Sequence, residues 1–300
     1  LYLSAMLSIL IPTYNYNTLK LVKNLQLQGV KSDIYFEILV LDDASNDAQS
    51  KVAHEKISTL DYCSFFENKK NIGRTATRNI LANKAKYNWL LFLDADVTPL
   101  DNSFIARYLK QIDKKNDVIS GGIVYENQKP DHKQLLRWVY GRKRESKSAK
   151  ARNKKPYNII SANLLIDKKL FLNANNFETN QYGLDIYFSY KIRELKAKVL
   201  HIENPTIHLG LESTAVFLEK SLHAIQTTHI LEKDKKIDTA SRALQIRYNQ
   251  LNSTGATKLF IFIFSGLEKK IIKNLNSTNP SIFLFDLYKL CYYCKLMKNA

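Results

Sequence analysis

The chain has 300 residues, 45% hydrophobic and 24% charged, which is enough apolar material for a large core and excludes a disordered polyelectrolyte. Its net charge of +17 calls for an anionic partner, whether a nucleotide, an acidic glycan, a membrane surface or nucleic acid. Three cysteines are too few for a disulfide framework, and the lone C-x-x-C of Cys291 and Cys294 reads as two small apolar residues on a helix.

Strand and helix signals alternate from the start. The apolar run Leu7–Ile11, closed by Pro12, predicts a strand, and Asn17–Gln28 a helix. Phe36–Leu41 is the second strand, ended by Asp42-Asp43. Ala48–Leu60 follows as an amphipathic helix, Tyr62–Phe66 as a strand, Arg74–Lys86 as a helix and Trp89–Leu93 as the fourth strand. Unbroken apolar strands between helices imply an α/β fold with a mostly parallel sheet covered on both faces. Asp101–Asp113 is a further helix. Val118–Tyr125 is a strand holding Gly121-Gly122, a pair that marks close approach of backbone or ligand. Ile159–Ile166 returns to strand, Asp185–Leu195 to helix, and Val199–Ile202 and Pro205–His208 are short edges. From Ser213 onward the pattern is helical. The longest apolar runs, 89–93 and 259–264, fall far short of the roughly 20 residues a membrane span needs. The first residues lack the basic n-region of a secretory signal, and Met6 is the expected start.

Every strand of the first hundred residues ends in polar residues: Thr13-Tyr14-Asn15, Asp42 to Asp47, Asn71 to Arg74 with Arg78, and Asp94-Ala95-Asp96. Parallel strands bring such ends to one edge, where open α/β sheets hold ligands. If the extended backbone continues past Leu93, Asp94 and Asp96 point the same way and suit a hard divalent cation. Asp43, Thr13 and Asn15 suit a base or ribose, and Arg74 or Arg78 a phosphate. Acids in 42–47 also suit the amino end of the next helix.

The ordered segments LSILIPTYN (7–15), EILVLDDASND (37–47), NIGRTATRN (71–79) and LFLDAD (91–96) resemble the GT-A (Rossmann-like) domain of family 2 glycosyltransferases. The resemblance covers about residues 6–210, leaving 211–300 as a helical C-terminal extension. It implies sugar transfer from a nucleotide-diphosphate donor, UDP rather than GDP, to a glycan or lipid-linked acceptor, with Mn²⁺ or Mg²⁺ as cofactor. It places Thr13, Tyr14, Asn15, Asp43, Asn71, Gly73, Arg74, Arg78 and Asp94 around the nucleotide and Gly121 and Gly122 near the donor sugar. Asp96 becomes the metal ligand, with His208 completing the shell. The catalytic base implied is Asp185, favouring an inverting reaction. The family pattern has a Glu before that acid, whereas this chain has Leu184, and Glu178 is the fallback acid.

Lys129–Lys155 holds eleven Lys and Arg against two acids. It is expected to be a cationic excursion on the acceptor side, with Trp138 and Tyr140 stacking on sugar, and to favour peripheral contact with an anionic membrane on its cytoplasmic face. A non-catalytic sugar-nucleotide binder and a basic nucleic-acid or membrane-surface binder are the competing readings. A nucleotidyltransferase would need a Gly-rich phosphate loop after the first strand, which is missing. No nucleic-acid partner is expected, because the positive charge clusters away from the sheet motifs.

Overall fold

The computed structural model describes residues 6–112, 115–177, 181–240 and 242–298. β1 (Met6–Thr13), β2 (Tyr35–Asp42), β3 (Cys63–Glu67) and β4 (Trp89–Leu93) are joined by α1 (Leu19–Lys31), α2 (Ala48–Glu55) and α3 (Arg74–Lys84). There follow β5 (Val97–Pro99), α4 (Phe104–Leu109), β6 (Val118–Ser120), β7 (Ile123–Val124), α5 (Leu135–Tyr140), α6 (Ala149–Asn153), β8 (Asn163–Asp167), α7 (Lys168–Ala174), α8 (Asp185–Glu194), β9 (Val199–His201) and β10 (Thr206–His208). Four helices complete the chain: α9 (Thr214–Lys233), α10 (Ala243–Ser253), α11 (Thr257–Leu275) and α12 (Ile282–Lys298).

The main sheet has the order β3-β2-β1-β4-β8-β6-β9 and is parallel except for β8, which runs against both neighbours. A small sheet, β5-β10-β7, stands apart from it. Leu7, Ile9–Ile11 and Leu90–Leu93 are inaccessible, as both-face burial of parallel strands demands. Helices enter where the sequence supplies caps. Asp47 accepts from Ser50 N at 2.9 Å to start α2, and Gly73, at φ +85°, leads into α3. Phe92 and Phe171, with centroids 4.3 Å apart, anchor a core that also takes Phe188 and Ile192 of α8.

Three local expectations change, and one strand goes unpredicted. The helix expected from Asp101 spans only Phe104–Leu109. The helix from Ala48 ends at Glu55 and tightens into a 3₁₀ turn over Lys56–Thr59. The strand expected over 118–125 is two short strands in different sheets, because Gly122 takes φ +87° and turns the chain between them. β5 escapes sequence reading because three residues ending in proline carry no period. No helix among the described residues is long and apolar enough to cross a membrane.

The chain divides into two units. The first comprises residues 1–126, 145–180 and 188–210 and holds both sheets. The second comprises 127–144, 181–187 and 211–300 and is helical. Its core joins Leu136 with Phe217, Leu218, Ile271, Leu275, Ile282 and Phe285. There Trp138 is 9% exposed with Arg142 lying over its ring, and Tyr140 packs on Phe217 and Phe285. The two aromatics expected to stack on sugar are therefore packing residues. Cys291 and Cys294 are buried on α12.

Within the first unit the basic stretch contributes a buried cation. Arg152 donates to the carbonyls of Lys147, Ser120, Gly121 and Ile202 and to His201 Nδ1, using all five N–H groups. His201 Nε2 in turn donates to Pro156 O at 2.8 Å, which fixes the neutral tautomer. Burial, reinforced by the Arg152 charge, pushes the imidazole below its usual value. Arg152→Ala should cost on the order of 2–4 kcal/mol in urea denaturation, and Arg152→Lys should recover only part, because an ammonium has three donors. The His201 contribution has a definite sign. As pH falls below the ordinary imidazole value of about 6.5, the unfolded chain binds a proton that the folded chain refuses. Stability should therefore fall from about pH 6.5 down to the depressed folded value, and His201→Gln should flatten that slope.

Candidate functional site

The carboxyl ends of β1, β2 and β4 carry the candidate site. Asp43, 4% exposed, follows β2 and accepts from Asn68 Nδ2 (2.9 Å), Ile72 N (3.0 Å) and Gly73 N (2.8 Å). It thus shapes the 68–73 loop that delivers α3. Asn15 N donates to Ser45 Oγ (2.6 Å), and Asn15 Oδ1 accepts from Asn46 N (2.9 Å) and Asp47 N (3.3 Å). The first two loops are therefore one bonded unit, although Asn15 and Ala44 hold φ of +49° and +62°. Thr13 is buried and donates to Tyr16 O at 3.0 Å, while Tyr14 and Asn71 are exposed. Beside this unit a cleft of about 350 Å³ is lined by Ala44, Ser45, Asn46, Lys51, Glu67, Asn68 and Lys69.

The two acids after β4 do not share one direction. The extended backbone stops at Leu93, and 94–96 form a turn. Asp94 N donates to Ala162 O at 3.1 Å, and the chain then leaves the main sheet to form β5 in the small one. The Asp94 carboxylate turns to α3, where Arg74 Nη2 lies 2.9 and 2.7 Å from its two oxygens and Arg78 Nη2 lies 2.7 Å from Oδ1. Arg78 also donates to Ser161 O at 2.8 Å, and its guanidinium sits 5.3 Å from the Phe92 ring centroid. Burial alone would raise the Asp94 carboxyl, but the two guanidiniums outweigh it and hold it below the usual carboxylate range.

Asp96 takes the other direction. β5 pairs antiparallel with β10, setting His208 opposite Val97, and Leu209 N donates to Asp96 O at 2.8 Å. His208 Nε2 lies 3.4 Å from Asp96 Oδ2. Tyr125 stacks on His208 at 5.3 Å between centroids and donates its hydroxyl to Glu145. Burial first, then the Asp94 charge, lifts the Asp96 carboxyl above its usual value against the pull of His208. Adjacent acids are thereby driven apart in character.

The structure thus gathers Arg74, Arg78, Asp94, Asp96 and His208. The glycine pair is not among them. A Cβ on Gly121 would overlap Asn163, Tyr108 and the Asn204 carbonyl, and one on Gly122 would come within 2.7 Å of the Arg152 guanidinium. Asp185 opens α8 in the second unit, where its carboxylate acts on the Arg242 charge. Glu178 lies outside the described residues. Two site residues escaped sequence reading. Tyr16 has its hydroxyl raised by burial and by the charge of Asp96. Gly210 is the other, because a Cβ there would overlap Asp96 Oδ2. The only available signal for Gly210 was a glycine two residues after His208.

Comparison with known proteins bears on the family and the fold. The family model described as glycosyl transferase family 2 matches residues 8–172, more than half of the chain. The chain belongs to glycosyl transferase family 2. Glycosyltransferase GlyA of Streptococcus pneumoniae serotype 4 is 22% identical over 241 residues, covering 73% of this chain and 33% of that protein. Chondroitin synthase of Pasteurella multocida is 27% identical over 113 residues, covering 38% and 12%. The family 2 chain thus spans a third or less of these relatives. Among solved structures, GalNAc-T7 with UDP, GalNAc and Mn²⁺ superposes with a TM-score of 0.54 at 16% identity, covering 77% of this chain and 49% of that one. The mannosyltransferase PcManGT from Pyrobaculum calidifontis, in complex with GDP-Man and Mn²⁺, gives 0.54 at 13% identity, covering 98% and 87%. These likenesses show the GT-A fold.

The ion-pair geometry predicts an asymmetry between the two arginines. Arg78, with a side chain 6% exposed, should cost about 2–3 kcal/mol when changed to Ala, because a partly buried carboxylate and the Ser161 carbonyl both lose an enclosed guanidinium. Arg74, with a side chain 42% exposed, should cost about 1 kcal/mol or less. Urea denaturation of the two variants checks the difference.

Proposed function

We propose that the chain transfers a sugar from a nucleotide-diphosphate donor, a UDP-sugar by its sequence resemblance, to a hydroxyl of a glycan or lipid-linked acceptor. The observation that carries this reading is the division of labour after β4. Asp94 is neutralised by Arg74 and Arg78 while Asp96 is left facing His208. The cleft beside Asn46 and Asn68 is of a size for a nucleobase. Arg74, half exposed and paired with Asp94, can turn to meet a diphosphate oxygen while Arg78 keeps Asp94 in place.

Asp96 and His208 offer one oxygen and one nitrogen, and among the described residues no cluster of three or more His, Cys, Asp or Glu is placed to hold a metal. Two protein ligands fit a divalent cation that takes its remaining ligands from substrate phosphates and water. Mn²⁺ or Mg²⁺ bound there would supply positive charge to the departing nucleoside diphosphate. The acceptor hydroxyl gives its proton to the Asp185 carboxylate, its oxygen bonds to the anomeric carbon, and the bond from that carbon to the diphosphate breaks with its electron pair. A single carboxylate acting as base gives inversion. Asp185 starts its helix without the Glu of the family pattern, so the whole of the proton transfer falls on one side chain.

Thermal unfolding with UDP, GDP and dTDP, each with and without Mn²⁺, tests donor binding. A ligand at about 100 times its Kd stabilises by about 2.7 kcal/mol, and UDP with Mn²⁺ should raise the midpoint. Asp96→Ala should abolish the Mn²⁺-dependent part. Gly210→Ala should do the same while leaving the unliganded protein folded, since its methyl displaces the Asp96 carboxylate. No shift with any nucleotide would remove the reading. Asp185→Asn should retain the UDP shift and lose transfer on the order of 10²–10⁴-fold. Loss of transfer that spares donor binding separates an enzyme from a passive sugar-nucleotide binder.

A further inference from the structure

α11 presents two different faces. Thr257, Ile271 and Leu275 are buried, and Phe264 packs against the same cluster. Opposite them Leu259, Phe262, Ile263 and Leu267 are 62%, 79%, 45% and 38% exposed. Their spacing of i, i+3, i+4 and i+8 sets them on one stripe. Gly266 lies within the stripe, and a Cβ there would meet nothing within 4 Å. Further along, Lys270 and Lys273 return to the same face with Lys269 beside them, all exposed. One side of a single helix is therefore apolar over its first half and cationic over its second. Phe283, in the first turn of α12, is a further exposed aromatic at 69%.

A contiguous apolar stripe on the outside of a helix marks a contact surface. The charge selects its occupant. The helical unit carries nineteen Lys and Arg against nine Asp and Glu. A second copy would set these lysines either against its own lysine row or, antiparallel, against its apolar half, where ammonium groups would lose water without a partner, so self-association through this face is opposed. An anionic bilayer takes both halves at once, with apolar side chains entering the headgroup boundary and ammonium groups meeting phosphates. Its length of 19 residues, with its inner side already packed on the core of its own unit, suits a helix lying along the surface.

We propose that α11 docks the chain on anionic phospholipid, with Leu259, Phe262, Ile263 and Leu267 in the interface and Lys269, Lys270 and Lys273 on headgroup phosphates. This goes beyond the transfer reaction and does not rest on it. The test is co-sedimentation of the full chain with phosphatidylglycerol–phosphatidylcholine vesicles and with pure phosphatidylcholine vesicles. Binding to the anionic vesicles should be at least about tenfold tighter and should weaken with added salt. Phe262→Glu should weaken it about tenfold or more with an unchanged thermal midpoint, since the ring is solvent-exposed. The triple variant Lys269→Gln, Lys270→Gln, Lys273→Gln should narrow the difference between the two vesicle types. Three outcomes would overturn the proposal: no binding to anionic vesicles, equal binding by Phe262→Glu, or a dimer of the parent chain in sedimentation that Phe262→Glu converts to monomer.

Discussion

Two guanidiniums on one carboxylate fix the centre of this molecule. Asp94 stands at the end of an inaccessible strand, where an unpaired charge would be costly, and Arg74 and Arg78 one helical turn apart on α3 compensate it. Because Arg78 also reaches Ser161 O, the same contact joins the start of α3, the end of β4 and the residues leading into β8. Asp43 does matching work one loop away, holding the segment from which α3 begins. With those points fixed, the chain has one way to continue after Asp94, into β5 and against β10. That path delivers Asp96 to His208.

Much of this was legible in the sequence. β1, β2, β3 and β4 and their helices follow from unbroken apolar runs separated by amphipathic ones, and β4 has the bounds its run predicts. The polar strand ends fall on one edge because parallel strands leave no other option. What was hidden is tertiary. The two aspartates read as a pair with one orientation because their spacing matches a strand, but the strand ends before them. No local pattern announces that a helix twenty residues earlier supplies the counter-charges. Gly210 is invisible for a similar reason, since the carboxylate it makes room for belongs to a residue more than a hundred positions away.

The basic stretch shows the limits of composition as a guide. Eleven cationic residues suggest a uniform solvated surface, yet the stretch contributes to both units in different ways. Arg152 is enclosed by carbonyls, Arg142 covers a buried tryptophan, and Arg144 pairs with Asp286. Charge counts are blind to this because a guanidinium is stable inside a protein when each N–H finds an oxygen or nitrogen. The exposed cations at the end of α11 are fewer, but their alignment beside an apolar stripe gives them more directional meaning.

The one reversed strand has its own consequence. Since β8 runs against β4 and β6, its beginning, rather than its end, lies at the edge where Asp94 sits, and Leu93 pairs with Asn163. Asn163 fastens that beginning, donating to the carbonyls of Gly122 and Asn204 and accepting from Tyr108. The path from Gly122 round to Asn163 therefore leaves the sheet edge and returns to it at a shared anchor. Residues can be added or removed in the exposed turns of such a closed excursion, away from β7, Arg152 and the buried Leu136 and Trp138, without shifting the register of the main sheet. The fold thus has a place where the chain between Gly122 and Asn163 can be rebuilt while the ends of β1, β2 and β4 stay as they are.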